Sequence, residues 1–297
     1  MSGFSPAWLA LREPADAAAR AGAMCNMIAR PDDRPLDVVD LGAGTGANLR
    51  WLAPRLGGRQ RWRLVDDDPT VLAAAADALR AWADRNGLAS AETARGLDVG
   101  GDAFTCEIEL CEADIAPKLD RCMPGAGGLV TASALLDLVS ADWLRRLAAC
   151  CADSEASVLF ALTYDGRIRF EPPEPGDEHV RALVNRHQHG DKGFGPALGP
   201  DAATKVVEAF AAHGYALRIE STDWRLGPDT LEMQRELLAG WHAAAAEIAP
   251  DERPTLDAWL ARRLEHVEHG RSRLVVGHID VAGRKLCQTH FSREKCV

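Results

Sequence analysis

Apolar and polar positions along the chain alternate between two rhythms. Short runs rich in β-branched and aliphatic residues cover Leu36 to Asp40, Arg61 to Val65, Cys106 to Leu110, Gly128 to Ser133 and Val158 to Thr163. Between them the apolar spacing becomes helical over Ala47 to Leu56, Pro69 to Asn86 and Ala141 to Cys151. Gly87 stands at the position after a helix that favours glycine, and Ser140 is placed to cap the third helix. Residues 94 to 113 hold two alternating stretches around Gly100-Gly101, which predicts a hairpin feeding the third strand. Repeated strand-helix alternation of this kind predicts a largely parallel sheet with helical crossovers.

Outside that core the pattern changes three times. Residues 6 to 30 read as one or two amphipathic helices ahead of the first strand, with Trp8, Leu9, Leu11, Met24, Met27 and Ile28 as apolar positions, and are expected to form a lid within 1–30. The strand-helix core is then 31–164, and 165–200, crowded with glycine and proline, is expected to be a long loop carrying a short helix near Glu178 to Arg186. A helix from Asp201 to His213, a stop at Gly214 and a strand from Tyr215 to Trp224 restore the alternation. Two helical segments, Asp229 to Ile248 and Pro254 to Glu268, form a predicted cap insertion at 228–269 before a last strand, Arg273 to Val281. The chain is read as one domain over 1–283, with a tail at 284–297 that lacks periodicity and is expected to be disordered.

Candidate chemistry concentrates where the first strand ends. Asp40-Leu41-Gly42-Ala43-Gly44-Thr45-Gly46 runs into a three-glycine turn and straight on into a helix, so the backbone is free to adopt positive φ and to approach a ligand closely at a helix N-terminus. About twenty residues on, the second strand ends in Asp66, a carboxylate placed to accept ribose hydroxyls. With the acidic Asp40 before a G-x-G-x-G turn, this segment resembles motif I of the class I S-adenosylmethionine-dependent methyltransferases. Leu64-Val65-Asp66-Asp67-Asp68-Pro69 resembles the second motif of that family, and Cys111-Glu112-Ala113-Asp114-Ile115 its third.

The resemblance covers residues 36 to about 164 and identifies no substrate-specific subfamily. It implies a Rossmann-like α/β fold: a seven-stranded, mostly parallel sheet with helices on both faces, an N-terminal helical lid and a helical insertion before the last strand. It further implies S-adenosyl-L-methionine as cofactor and S-adenosyl-L-homocysteine as product. Gly42, Gly44 and Gly46 would line the methionine and ribose, Asp66 would hold the ribose, and Asp114 would meet the adenine amino group. Ser133 faces the same edge by position, and Arg12 and Arg20 in the lid are candidates for the methionine carboxylate, a surface salt bridge being the alternative.

Composition narrows the partners. With 34 basic against 44 acidic residues the formal charge is -10, which disfavours a phosphate backbone, so no nucleic acid is expected. The 8 cysteines show no repeated C-x-x-C spacing, and no apolar run is long enough for a membrane, so a cytoplasmic protein without a structural metal is expected. The densest polar cluster, Asn185 to Pro196, offers His187 and His189 as contacts to the acceptor or as a base. A hydrogen-bonded surface loop is the alternative for that cluster, and Asp137 and Tyr164 are the next candidates for the same duty. The function expected is methyl transfer to a small-molecule acceptor. A protein-directed methyltransferase and a non-catalytic nucleoside-binding scaffold of the same fold are the alternatives.

Overall fold

Strand β1, Leu36–Leu41, is buried at all but one of its residues, the mark of a strand covered on both faces. In the computed structural model, which describes residues 5–31 and 33–286, it lies at the middle of a mixed sheet. To one side it pairs in parallel with β2 (Gly58–Asp66), which pairs in parallel with a third strand, Phe104–Glu112. That strand is β5, because a small antiparallel meander, β3 (Ala89–Thr93) and β4 (Gly96–Gly100), precedes it and extends the edge. To the other side come β6 (Leu129–Ser133) and β7 (Ser157–Glu171), both parallel to β1. The last strand in the chain, β10 (Arg273–Lys285), then inserts antiparallel between β7 and β8 (Tyr215–Ser221), while β9 (Trp224–Leu226) pairs with the first part of β10.

Helices cover both faces. On one, α2 (Ala47–Leu56), α3 (Pro69–Arg85), α6 (Asp177–Gln188), α8 (Leu231–Ile248) and α9 (Arg253–Glu268) close a core that includes Leu49, Leu79, Leu183, Leu238 and Trp259. The N-terminal helix α1 (Pro6–Ala19) packs against this core through Trp8, Leu11 and Ala15. On the other face α4 (Ile115–Lys118), α5 (Ala141–Asp153) and α7 (Ala202–Ala212) bury Ile115, Leu147 and Phe210. Among the described residues no helix is long and apolar enough to cross a membrane.

Several boundaries differ from those read in the sequence. The segment 165–200 is not one long loop: β7 continues to Glu171 because Arg273 at the start of β10 pairs with that residue, and α6 follows. The alternation of Ile168 and Phe170, buried, with exposed Arg167 and Arg169 was the trace of that strand, masked by the nearby prolines. The strand expected over 215–224 is interrupted at Thr222 and Asp223, whose side chains bond Asp280 and Arg167. Strand β3 left no period-two signal because every one of its residues is exposed. At the C-terminus Arg284 and Lys285 pair with β8 rather than belonging to a tail, and 287–297 lie outside the described residues.

The helical insertion is tied down by one buried ion pair. Arg263 of α9 is fully buried, donates from Nε to Asp177 Oδ1 at 2.9 Å and from Nη1 to the Pro172 carbonyl at 2.8 Å, and lies over the Phe170 ring. Trp259 Nε1 donates to the same Asp177 oxygen at 2.9 Å. The cap is thereby fixed to the end of β7 and the start of α6.

Candidate active site

Three backbone features shape the glycine turn. The Ala43 amide donates to the Val65 carbonyl at 3.0 Å, drawing the turn against the end of β2. Gly44 adopts φ +54, and its amide donates to Asp66 Oδ2 at 2.8 Å, while Asp66 Oδ1 accepts from the Asp68 amide at 3.1 Å. A Cβ on Gly44 would stand 3.1 Å from Leu9 Cδ1, so helix α1 lies directly across the turn. Gly42 also has positive φ, against Leu135, and Gly46 closes the turn in the left-handed region as the residue before α2. Asp114 caps α4 by accepting from the Ala116 amide at 2.9 Å, one strand over from Asp66. The sheet therefore brings Gly42, Gly44, Gly46, Asp66 and Asp114 together along the carboxyl ends of β1, β2 and β5.

Beside the turn a cavity of about 290 Å³ is lined by Asp16 of α1, Arg20 just past its end, Asn48 and Trp51 of α2, and Ser133 at the end of β6. Arg20 is only 8% exposed, stacks over the Trp51 ring at 4.1 Å, and has no hydrogen-bond partner at Nε or Nη2. A buried guanidinium without partners bears a large desolvation cost, offset in part by the charges of Asp280, Asp40 and Asp16 nearby. Asp40 lies beneath the turn, fully buried; its Oδ1 accepts from Asn48 Nδ2 at 2.7 Å and its Oδ2 has no partner. Burial raises its pKa to about 7, with the Asn48 hydrogen bond and the Arg20 charge opposing. Helix α1 is held over the cavity by Arg50, which donates to Glu13 from Nε at 2.8 Å, and by Trp51 Nε1, which donates to the Ala17 carbonyl at 3.1 Å.

The next layer lies past the ends of β6 and β7. Ala134 has φ +51 immediately after Ser133, a strained conformation for a residue with a Cβ and one that recurs at functional sites. Asp137 follows, 8% exposed, with Oδ1 unpaired and its pKa raised to about 6 by burial. Tyr164 donates its hydroxyl to Asn185 Oδ1 at 2.7 Å. Across the β7–β10 ladder stands His278, 4% exposed, packed on Trp224 at 4.6 Å between ring centres and with Nδ1 unpaired. Burial first, and then the Arg12 charge, push its pKa down to about 3, so the ring is neutral. Arg12 is held by Asp16, Nε to Oδ2 at 2.9 Å, rather than being free for a ligand carboxylate, and its guanidinium lies 5.0 Å from the Trp224 ring centre.

His187 and His189 lie elsewhere. His187 is in the last turn of α6, with Nε2 3.0 Å from Glu247 of α8, and His189 ends that helix with Nδ1 3.4 Å from the Ala197 carbonyl. Helical geometry separates the two, which stand two residues apart at the end of α6. Among the described residues no group of three or more His, Cys, Asp or Glu side chains is arranged to hold a metal.

Sequence reading passed over Asp280 and His278. Asp280 accepts from the Leu162 amide and from the Thr222 hydroxyl, both at 2.8 Å, and also from the Ala21 amide at 3.4 Å, joining the lid, β7 and the break between β8 and β9. Two polar residues inside the apolar run Leu274 to Val281 were the available signal, since a buried strand in the sheet interior has no structural need of them.

The seven core strands run β5-β2-β1-β6-β7-β10-β8, with β10 alone antiparallel, and the glycine turn and Asp66 stand at the carboxyl ends of β1 and β2. This is the class I methyltransferase fold. The methyltransferase sheet is enlarged here by β3, β4 and β9.

No protein-family profile matches the chain, and no relative is found among curated proteins. Solved structures with a similar chain course include a geranyl diphosphate C-methyltransferase from Streptomyces coelicolor, at 12% identity over 96% of this chain and 86% of that one, with a TM-score of 0.44. A cyclopropane synthase from Mycobacterium tuberculosis matches at 11% identity over 88% and 81% of the two chains, TM-score 0.44. A methyltransferase from Thiobacillus denitrificans in complex with S-adenosyl-L-homocysteine matches at 15% identity over 95% and 92%, TM-score 0.41. The fold assignment rests on the strand order of the sheet.

Proposed function

We propose that this protein is an S-adenosyl-L-methionine-dependent methyltransferase acting on a small molecule. The observation that carries the reading is Arg20: a buried guanidinium with two unpaired nitrogens, in a cavity beside the glycine turn, calls for an anionic partner. The methionine carboxylate supplies one. Gly42, Gly44, Gly46 and Asp66 would hold the ribose side, Asp114 the adenine, and Asp40, Asn48 and Ser133 the region between. When bound, the cofactor supplies an electrophilic methyl group on a sulfonium.

The chain's own part is placement and proton handling. Helix α1 covers the turn and excludes water, which strengthens every polar contact beneath it. Asp137, buried past the end of β6 with its pKa raised to about 6, would take a proton from an acceptor N–H or O–H. His187 and His189 are carried in this reading as acceptor contacts supplied from the end of α6.

Calorimetric titration with S-adenosyl-L-methionine and S-adenosyl-L-homocysteine, with NAD as control, tests the proposal. Binding of the first two, weakened in both Arg20→Ala and Asp66→Ala, is expected. Failure to bind either compound, or binding indifferent to both substitutions, would remove the nucleoside site. Alanine at His187 and at His189 separately tests the acceptor role: turnover unchanged in both would take them out of the mechanism.

A further inference from the structure

Arg12 occupies a site built for a cation. Its guanidinium is bracketed by the Asp16 carboxylate, with Nε to Oδ2 at 2.9 Å and Nη2 to Oδ1 at 3.2 Å, and by the face of Trp224 at 5.0 Å. Its charge reaches both Asp137 and His278, whose ionisation it disfavours in the histidine and favours in the carboxyl. These neighbours come from the loop after β6, from β9 and from β10 as well as from α1 itself.

The unsatisfied atoms there point one way. Asp137 Oδ1 and His278 Nδ1 are both unpaired in side chains more than nine-tenths buried, and the first can only accept hydrogen bonds when ionised. Tyr164, the remaining hydroxyl of the cluster, already donates to Asn185. Two carboxylates, an indole face and a neutral imidazole form a surface that attracts an alkylammonium or guanidinium group and repels a carboxylate. The cation that lies over the indole, Arg12, belongs to the lid and is already paired to both oxygens of Asp16.

We infer that the acceptor of this site carries a cationic nitrogen, bound between Asp16 and Trp224 within reach of the Asp137 charge, in the place that the Arg12 guanidinium fills when no acceptor is present. Arg12 is then a plug: the lid closes on itself in the free protein, and a cationic acceptor must displace that side chain. The inference rests on the methyltransferase reading for the word acceptor, but not for the existence of the cation site.

The test is calorimetric titration of the full chain with butylammonium, butanol and butyrate, with and without saturating S-adenosyl-L-homocysteine, in wild type, Arg12→Gln, Arg12→Lys and Arg12→Gln/Asp137→Asn. The expected result is that butylammonium binds Arg12→Gln at least tenfold more tightly than it binds wild type, and more tightly than either other probe. Arg12→Lys, which restores a plugging cation, should stay near wild type, and the double variant should lose the gain. Butylammonium binding no better in Arg12→Gln, or a preference for butyrate that disappears with Arg12, would overturn the inference and make Arg12 an anion anchor instead. If Arg12→Gln does not fold, the order of the three probes on wild type decides between the same two outcomes. The arm without S-adenosyl-L-homocysteine separates this inference from the wider reading: failure of the nucleoside to bind would strike the methyltransferase function while leaving the cation preference measured.

Discussion

The guanidinium of Arg20 lies 4.1 Å from the centre of the Trp51 ring and leaves Nε and Nη2 unpaired, buried in the wall of the cavity beside the glycine turn. Stacking on the indole holds the charge in place without using its donors, so the arginine is oriented before any ligand arrives.

Replacing Arg20 by alanine should therefore weaken S-adenosyl-L-homocysteine binding by roughly ten- to hundredfold, the range set by charge-assisted hydrogen bonds of about 1.5–3 kcal/mol. Arg20→Lys should recover part of the loss. Calorimetry on the three proteins checks this, and equal affinity in all of them would show that the carboxylate is held elsewhere.

Gly44→Ala should cost on the order of 1–2 kcal/mol of stability, because the position has a left-handed backbone and the added methyl meets Leu9 Cδ1 at 3.1 Å. Leu9→Ala in the same background should relieve the contact but not the backbone term. Urea unfolding of the single and double variants separates the two, and strictly additive effects in the double variant would mean that α1 does not rest on the turn in solution.

Asp177→Ala should be among the most destabilising substitutions outside the site. It strips Arg263, fully buried, of its carboxylate partner, and an uncompensated buried charge costs about 3–5 kcal/mol. Since Arg263 joins α9 to the start of α6, increased hydrogen exchange in α8 and α9, ahead of β1, is the signature to measure.

The buried histidine predicts a pH dependence with a definite sign. The folded chain holds His278 neutral, its pKa pushed down to about 3 from an ordinary 6.5, so below that ordinary value the unfolded chain binds a proton that the folded chain refuses. Its contribution to stability is complete above pH 6.5 and declines as pH falls toward about 3, by at most ~1.4 kcal/mol per pH unit. Asp40 and Asp137, with pKa values raised to about 7 and about 6, act in the opposite sense: the folded chain holds their protons more tightly, and stability from them falls as pH rises from the ordinary carboxylate range. The quantity to measure is thus the difference between wild type and His278→Gln across pH 4 to 8. It should shrink on acidification, and a flat difference would show that the imidazole is not held neutral.

Local pattern by itself determined the strands β1 and β2, the helices α2, α3, α8 and α9, the glycine turn and the acids at Asp66 and Asp114. Those features are written in neighbouring residues: a 3.6-residue apolar period, a strand buried on both faces, a cap, a run of glycines. It also singled out Arg20, though not its stacking on Trp51. What only the tertiary structure decided is which distant residues meet. The antiparallel insertion of β10 prolonged β7 through a segment that reads as loop, brought His278 opposite Tyr164, and set Asp280 beneath the lid. The same packing carried Asn185 to Tyr164 while turning His187 toward Glu247 on α8. Pairing across more than a hundred residues of chain leaves no local period in the sequence, because what selects it is burial and the satisfaction of polar groups across the whole core.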